Sequence, residues 1–180
     1  MFLVKDSIRL QEKIDASIAH GIIARKFGNK LTGWKEREEG SPSDVLLTGT
    51  TSTHEQHYSL EIKSINTNAY FDNGFLVQFE KYINCKTDIS RRQNNEKLLW
   101  IFLSTFERKA YIFDMDSIDL NSLKMANIPI KSVEFHDSPK EIKPCLFLPL
   151  DSAVAECFYE LTEEEMEMIS QRNRLLKEGR

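Results

Sequence analysis

The sequence predicts an α/β or α+β fold in which helices flank a mixed central sheet, and three observations carry that expectation. A helical apolar stripe opens the chain and a charged helical pattern closes it. Between them lie short segments whose apolar residues recur with period two, separated by clusters of Gly, Pro, Ser and Asp. One run, KLLWIFLST from Lys97 to Thr105, is apolar almost throughout, as a central strand covered on both faces must be. At 180 residues, 41% hydrophobic and 29% charged, the chain is long enough for one domain with a sizeable core and short for two.

Each element follows in order. Lys5 to Phe27 contains no proline, carries Ile8, Ile14, Ile18, Ile22 and Ile23 on one stripe, and meets the helix stop Gly28-Asn29. Leu31 to Glu38 reads as a first strand, GSPSD (Gly40 to Asp44) as a turn, and Asp44 to Gly49 as a second strand. Thr48 to Gln56, rich in Thr and Ser, reads as a loop. His57 to Ile65 alternates, with Tyr58, Leu60, Ile62 and Ser64 on one face and His57, Ser59, Glu61, Lys63 and Ile65 on the other. Asn73-Gly74 signals a turn, and FLVQFEKYINC after it suggests a helix of about three turns. Lys97 to Thr105 gives the central strand and Lys109 to Phe113 its hairpin partner. Pro129, Pro139, Pro144 and Pro149 break up the next region, leaving Cys145 to Leu150 as an edge strand. Thr162 with Glu165 three residues on forms a capping box, opening a last helix that runs to about Leu176. The core is expected over about residues 5–113, with accessory strands and the C-terminal helix in 114–180. Trp34 and Trp100 read as core, His20 as structural, and His54 and His57 as surface residues.

Composition excludes several functions. No apolar run approaches the roughly 18 residues needed to cross a bilayer, and MFLVKDSIRLQEK turns charged too early for a secretory leader, so a cytoplasmic protein without membrane partners is expected. Cys85, Cys145 and Cys157 form no CxxC pair, which argues against a disulfide framework and a zinc site. The absence of a Gly-rich phosphate loop, GxSxG and HExxH argues against a nucleotide cofactor, a serine hydrolase and a zinc protease. The net charge of −4 means that any nucleic-acid contact must be local, metal-assisted or shared across an oligomer.

One constellation suggests chemistry. Asp44 opens a predicted strand, and Glu61 and Lys63 share one face of the next, so pairing of the two strands would bring two carboxylates and an amine together. Two neighbouring carboxylates repel unless a cation lies between them, and a hard divalent ion such as Mg²⁺ accepts one or two carboxylates while keeping its waters. The ammonium could orient water or stabilise charge on a phosphate. The same residues also fit an exposed strand face with a cross-strand ion pair, and Asp44 also fits a turn-ending cap.

Pro42-Ser43-Asp44, a gap, then Glu61-Ile62-Lys63 resembles the signature of the PD-(D/E)XK, or restriction-endonuclease-like, nucleases, although Ser43 interrupts the literal Pro-Asp pair. The resemblance covers residues 5 to about 113 and implies a helix, three strands, helix, strand core. It implies that Asp44 and Glu61 bind Mg²⁺, with Mn²⁺ as a substitute, that Lys63 acts at the attacking water, and that an acid of the first helix, Glu12 or Asp15, assists. Gln78 and Tyr82 match a Gln-x-x-x-Tyr pattern of one branch, where they would sit one turn apart on the second helix; they also fit the polar edge of a core helix. Arg91-Arg92, with Lys86 nearby, forms a basic patch suited to phosphate and equally suited to an exposed loop. The implied activity is Mg²⁺-dependent endonucleolytic hydrolysis of DNA leaving a 5′-phosphate, of restriction, homing, phage or repair type. A homodimer is implied for duplex cleavage, with Asp114 to Leu150 as a specificity or dimer insertion. The alternatives are a non-catalytic nucleic-acid- or protein-binding domain on the same fold, and an unrelated α+β interaction module.

Overall fold

A computed structural model describes residues 2–50, 54–65, 74–130 and 140–178. Its elements, in chain order, are helix α1 (Phe2–Phe27), strands β1 (Leu31–Glu36), β2 (Val45–Thr50), β3 (Glu55–Ile65) and β4 (Phe75–Gln78), and helix α2 (Phe79–Arg92). Strands β5 (Lys97–Ser104), β6 (Lys109–Asp114), β7 (Met125–Ile130), β8 (Glu141–Leu148) and β9 (Ala155–Phe158) follow, and helix α3 (Glu163–Glu178) ends the described chain. The fold is of the α+β class. A six-stranded mixed sheet runs in the order β1-β2-β3-β5-β6-β9, and a three-stranded sheet in the order β4-β8-β7. Only the β3–β5 pairing of the large sheet is parallel, with β4 and α2 forming the crossover between those strands.

The large sheet separates two apolar cores. On one face α1 lays Ile14, Ile18, Ala19, Ile22 and Ile23 against Val45, Leu47, Leu60, Leu99, Ile101 and Ile112, and α3 adds Met168 and Ile169. On the other face α2 and the small sheet bury Tyr82, Cys85, Ile89, Phe75, Val77, Leu146 and Leu148 against Leu98, Trp100, Phe102 and Phe113. Strand β5 is therefore buried on both faces along all but its first residue, which explains its continuous apolar run. Helix α1 stops where expected, Gly28 taking the left-handed conformation (φ 54°) that terminates helices at least strain. Among the described residues no helix is long and apolar enough to cross a membrane.

Several boundaries depart from the sequence reading. FLVQ is not the first turn of a helix: Phe75 and Val77 point into the core as alternate residues of β4, and α2 begins only at Phe79. Gly74, with φ 86°, opens that strand, and a Cβ there would lie 2.3 Å from the Leu148 carbonyl, so only glycine lets β4 start against β8; Asn73 lies outside the described residues. Cys145 to Leu148 belongs to the middle strand of the small sheet and not to an edge, and the segment around Pro129 forms the edge strand β7. Strand β9 completes the large sheet and α3 packs on α1, so part of 114–180 is built into the same core as the first helix. The strands β2 and β3 extend into the stretch expected as a loop, of which 51–53 lie outside the described residues.

The capping box at α3 forms as expected: the Thr162 amide donates to Glu165 Oε2 (2.8 Å) and the Glu165 amide donates to Thr162 Oγ1 (3.2 Å). Glu165 is buried and its Oε1 also accepts from Ser17 Oγ on α1 (2.8 Å), so the cap docks the two helices together. Thr162→Ala should lower the unfolding free energy by about 1 kcal/mol, and Glu165→Ala by about 2 kcal/mol because it also strands Ser17. Urea midpoints of the two variants check this; equal losses would mean that the Ser17 contact adds nothing.

Candidate functional site

Register brings the acids together. Val45 pairs with Leu60, and the Asp44 amide donates to the Leu60 carbonyl (3.0 Å), which sets Asp44 beside Glu61 at the start of β2. Because side chains alternate, Val45 and Leu60 face α1 while Asp44 and Glu61 face α2. The Ile62 amide donates to Asp44 Oδ2 (2.6 Å), fixing that carboxylate against β3. Lys63 follows Glu61 on the same face and is exposed. The register and the alternation therefore put Asp44, Glu61 and Lys63 on one face of the sheet.

Glu61 is the unusual member. It is 4% exposed, pinned in register beside Trp100 of β5 and covered by α2. Burial first, then the neighbouring Asp44, push its carboxyl from 4.5 up to about 8, although Lys81 and Lys63 pull the other way. Its Oε1 is 3.1 Å from Lys81 Nζ, while its buried Oε2 finds no hydrogen-bond partner among the described residues. Lys81 is the residue that the sequence reading missed. It lies in the first turn of α2, and assigning FLVQ to the helix obscured which face of α2 would meet the sheet. Burial lowers the Lys81 ammonium, but Glu61 and Asp44 outweigh it and hold the pKa above the ordinary lysine value. One turn on, the Cys85 thiol donates to the Pro42 carbonyl (2.8 Å), tying α2 to the segment that leads into Asp44. Burial, reinforced by Glu61, pushes that thiol up to about 12, so it serves as a donor and not as a nucleophile.

The two first-helix acids separate. Glu12 is exposed at its edge of α1, where partial burial first and then Asp44 and Glu39 raise its pKa, and Lys63 and Arg9 lower it. Its charge therefore shares the field of Asp44 and Lys63. Asp15 is buried between α1 and β3; desolvation lifts it to about 6, offset by hydrogen bonds from Ser64 and Gln11 (2.6 Å for Gln11) and by Arg172 of α3. Ser64 projects toward the α1 face, away from Glu61, so Asp15 is held in the helix interface, while the charge of Asp44 raises both helix acids.

The remaining expectations are corrected. Gln78 ends β4, paired with Cys145, so it does not share a helix turn with Tyr82. Tyr82 is buried in the second core beside Phe79, and the charges that reach it are those of Lys86 and Asp116. Arg91 and Arg92 do not act as one basic patch. Arg92 is turned inward, donating to Ser59 (2.8 Å), Glu96 (2.7 Å) and Asp88. Arg37 donates to Asp88 (2.5 Å) and Ser43 (3.1 Å), and Ser43 and Ser59 share a hydrogen bond (3.1 Å). Although burial raises Asp88, the two arginines hold it below its ordinary value. This network fastens α2 to β2 and β3 beside Asp44. Lys86 pairs with Asp116, leaving Arg91 exposed on α2.

No protein-family model matches the chain, and no curated protein matches it. The site's own chemistry is therefore the guide. Among the described residues no group of three or more His, Cys, Asp or Glu side chains forms a metal cage. Two carboxylates, one with an unpartnered buried oxygen, nonetheless suit Mg²⁺, which takes one or two carboxylates and fills its shell with water and phosphate oxygens.

The raised Glu61 pKa has a stability consequence of definite sign. The folded chain holds this proton more tightly than the unfolded chain, so the contribution is favourable below about 4.5 and is lost as pH climbs from about 4.5 to about 8. Glu61→Gln, which carries no charge at any pH, should gain on the native chain by roughly 3 kcal/mol between pH 5 and pH 8. Metal-free urea denaturation at the two pH values measures it; a difference that does not change with pH would contradict the burial argument.

Proposed function

We propose that the chain is a Mg²⁺-dependent endodeoxyribonuclease of the PD-(D/E)XK type, acting inside the cell on DNA phosphodiesters. The observation that carries this reading is the convergence of Asp44 and Glu61 under α2, with Glu61 buried, protonation-prone and left with one oxygen unpartnered. Perturbed carboxylates of this kind concentrate at functional sites. Within the large sheet and its two helices the order, α1, β1 to β3, α2, β5, agrees with the one that the resemblance implies, with β4 of the small sheet added before α2.

Asp44 and Glu61 would hold the metal, which when bound supplies Lewis acidity to the phosphate and lowers the pKa of water. Asp44 is oriented for this by the Ile62 amide, which leaves its second oxygen for a ligand. Lys63, exposed on the same face, would orient the attacking water and stabilise the charge that builds on the phosphate, the water's proton leaving to solvent. Glu12, within the field of both Asp44 and Lys63, assists from α1. Lys81, 3.1 Å from Glu61 Oε1, would supply the cation that an incoming phosphate needs. Binding a divalent ion requires the Glu61 proton to leave, so metal affinity should strengthen as pH rises toward about 8. One such site cuts one strand; cleavage of both strands of a duplex calls for a homodimer.

The test is Mg²⁺- or Mn²⁺-dependent nicking of supercoiled plasmid. Asp44→Ala and Lys63→Ala should each reduce the rate by at least roughly 100-fold while leaving the far-ultraviolet circular dichroism intact. DNA binding without any metal-dependent cutting would favour a non-catalytic domain, and nicking that survives both substitutions would remove these residues from the chemistry.

A further inference from the structure

We infer that the cleft along α2, from Lys81 to Arg91, seats the sugar–phosphate backbone of a DNA strand beside the bond to be cut; this rests on the nuclease reading above. The cleft has a volume of about 370 Å³ and lies between α2 and the segment 40–42 that leads into Asp44. Lys81, Asn84, Thr87 and Arg91 line its helix wall. Its inner end adjoins the carboxylate cluster, because Lys81 Nζ lies 3.1 Å from Glu61 Oε1 and Pro42 is bonded through its carbonyl to Cys85.

Charge selects the occupant. The one acid on the cleft wall, Asp88, is paired with Arg37 and Arg92 in a network that also holds Glu96 and is neutral overall, so it adds no net negative charge to the wall. Among the described residues no acid pairs with Arg91, whereas Lys81 at the inner end is already in contact with Glu61. Asn84 and Thr87 between them are exposed polar side chains of the kind that bond phosphate oxygens. Ten residues of helix separate Lys81 from Arg91, about 15 Å at the helical rise, which is long enough to follow a strand past more than one phosphate. On the other wall a Cβ at Gly40 would meet nothing within 4 Å, leaving that side open to a ligand. A contact confined to one cleft also accords with a chain whose net charge is −4.

The test is fluorescence anisotropy of a fluorescein-labelled DNA oligonucleotide with the full chain in EDTA, titrated from about 50 to about 200 mM salt. Arg91→Ala should weaken binding at low salt and lower the steepness of log affinity against log salt by about 1. Thr87→Glu, which places a charge on the same wall without touching the folded network, should weaken binding further. Arg174→Ala on α3, across the sheet, should leave both affinity and slope unchanged. Native affinity and slope in both cleft variants, or failure of the native chain to bind, would overturn the proposal. The plasmid assay separates this from the nuclease reading: nicking that depends on Asp44 but ignores Arg91 sinks the cleft alone, whereas cleft-dependent binding without nicking by the native chain sinks the enzyme and leaves the cleft.

Discussion

Beneath α2 the buried carboxyl of Glu61 lies beside the half-buried Asp44, and among the described residues Lys81 is the ammonium that touches it. Moving the Glu61 carboxyl from 4.5 to about 8 corresponds to roughly 4–5 kcal/mol against the ionised form. A typical domain is stable by only about 5–15 kcal/mol, so a chain that keeps this arrangement gives up a substantial fraction of its margin at neutral pH. Two apolar cores on opposite faces of the large sheet offset it, and the cluster sits at the boundary of one of them. An isosteric amide would relieve the strain without changing the packing. Under the proposed function, the acid is kept because a divalent ion takes it as a ligand.

Helix α2 organises both the cluster and its support. Lys81, Cys85, Asp88 and Arg92 recur at helical spacing along the side that meets the sheet. The first two address Glu61 and the carbonyl of Pro42, and the last two belong to the network of Arg37, Ser43, Ser59 and Glu96. That network carries two arginines and two acids and is neutral by charge count, its pairing offsetting the desolvation of its buried ions. Its mechanical effect is to clamp Ser43, the residue before Asp44, and Ser59, two residues before Glu61, to one helix. The separation of the acids is thus set by a shared frame and not by the loops on either side.

How much of this the sequence discloses depends on what kind of signal each residue carries. Periodicity made the α1 stripe, the inward face of β3 and the apolar run of β5 readable, because burial on a face imposes a local pattern. Asp44, Glu61 and Lys63 were readable because strand alternation fixes their side. FLVQ was misread because four residues of alternation abut a helix without a breaker; Gly74 before it was the available clue. Strands β7 and β9 are short, and one contains Pro129, so neither shows a pattern long enough to stand out. Lys81 and the inward turn of Arg92 follow from how α2 lies on the sheet, which no local pattern encodes, and the burial of Asp15 against the exposure of Glu12 follows from the rotation of α1 over β3.

The central claim is that Asp44 and Glu61 together trap a divalent ion, and a crystal soaked in Mn²⁺ tests it most directly. The account predicts an anomalous difference peak between the two carboxylates, with the Glu61 oxygens turned to it and Lys81 Nζ withdrawn from its present 3.1 Å contact. A crystal that takes up manganese elsewhere, or none at saturating concentration, with Lys81 still seated on Glu61, would contradict it.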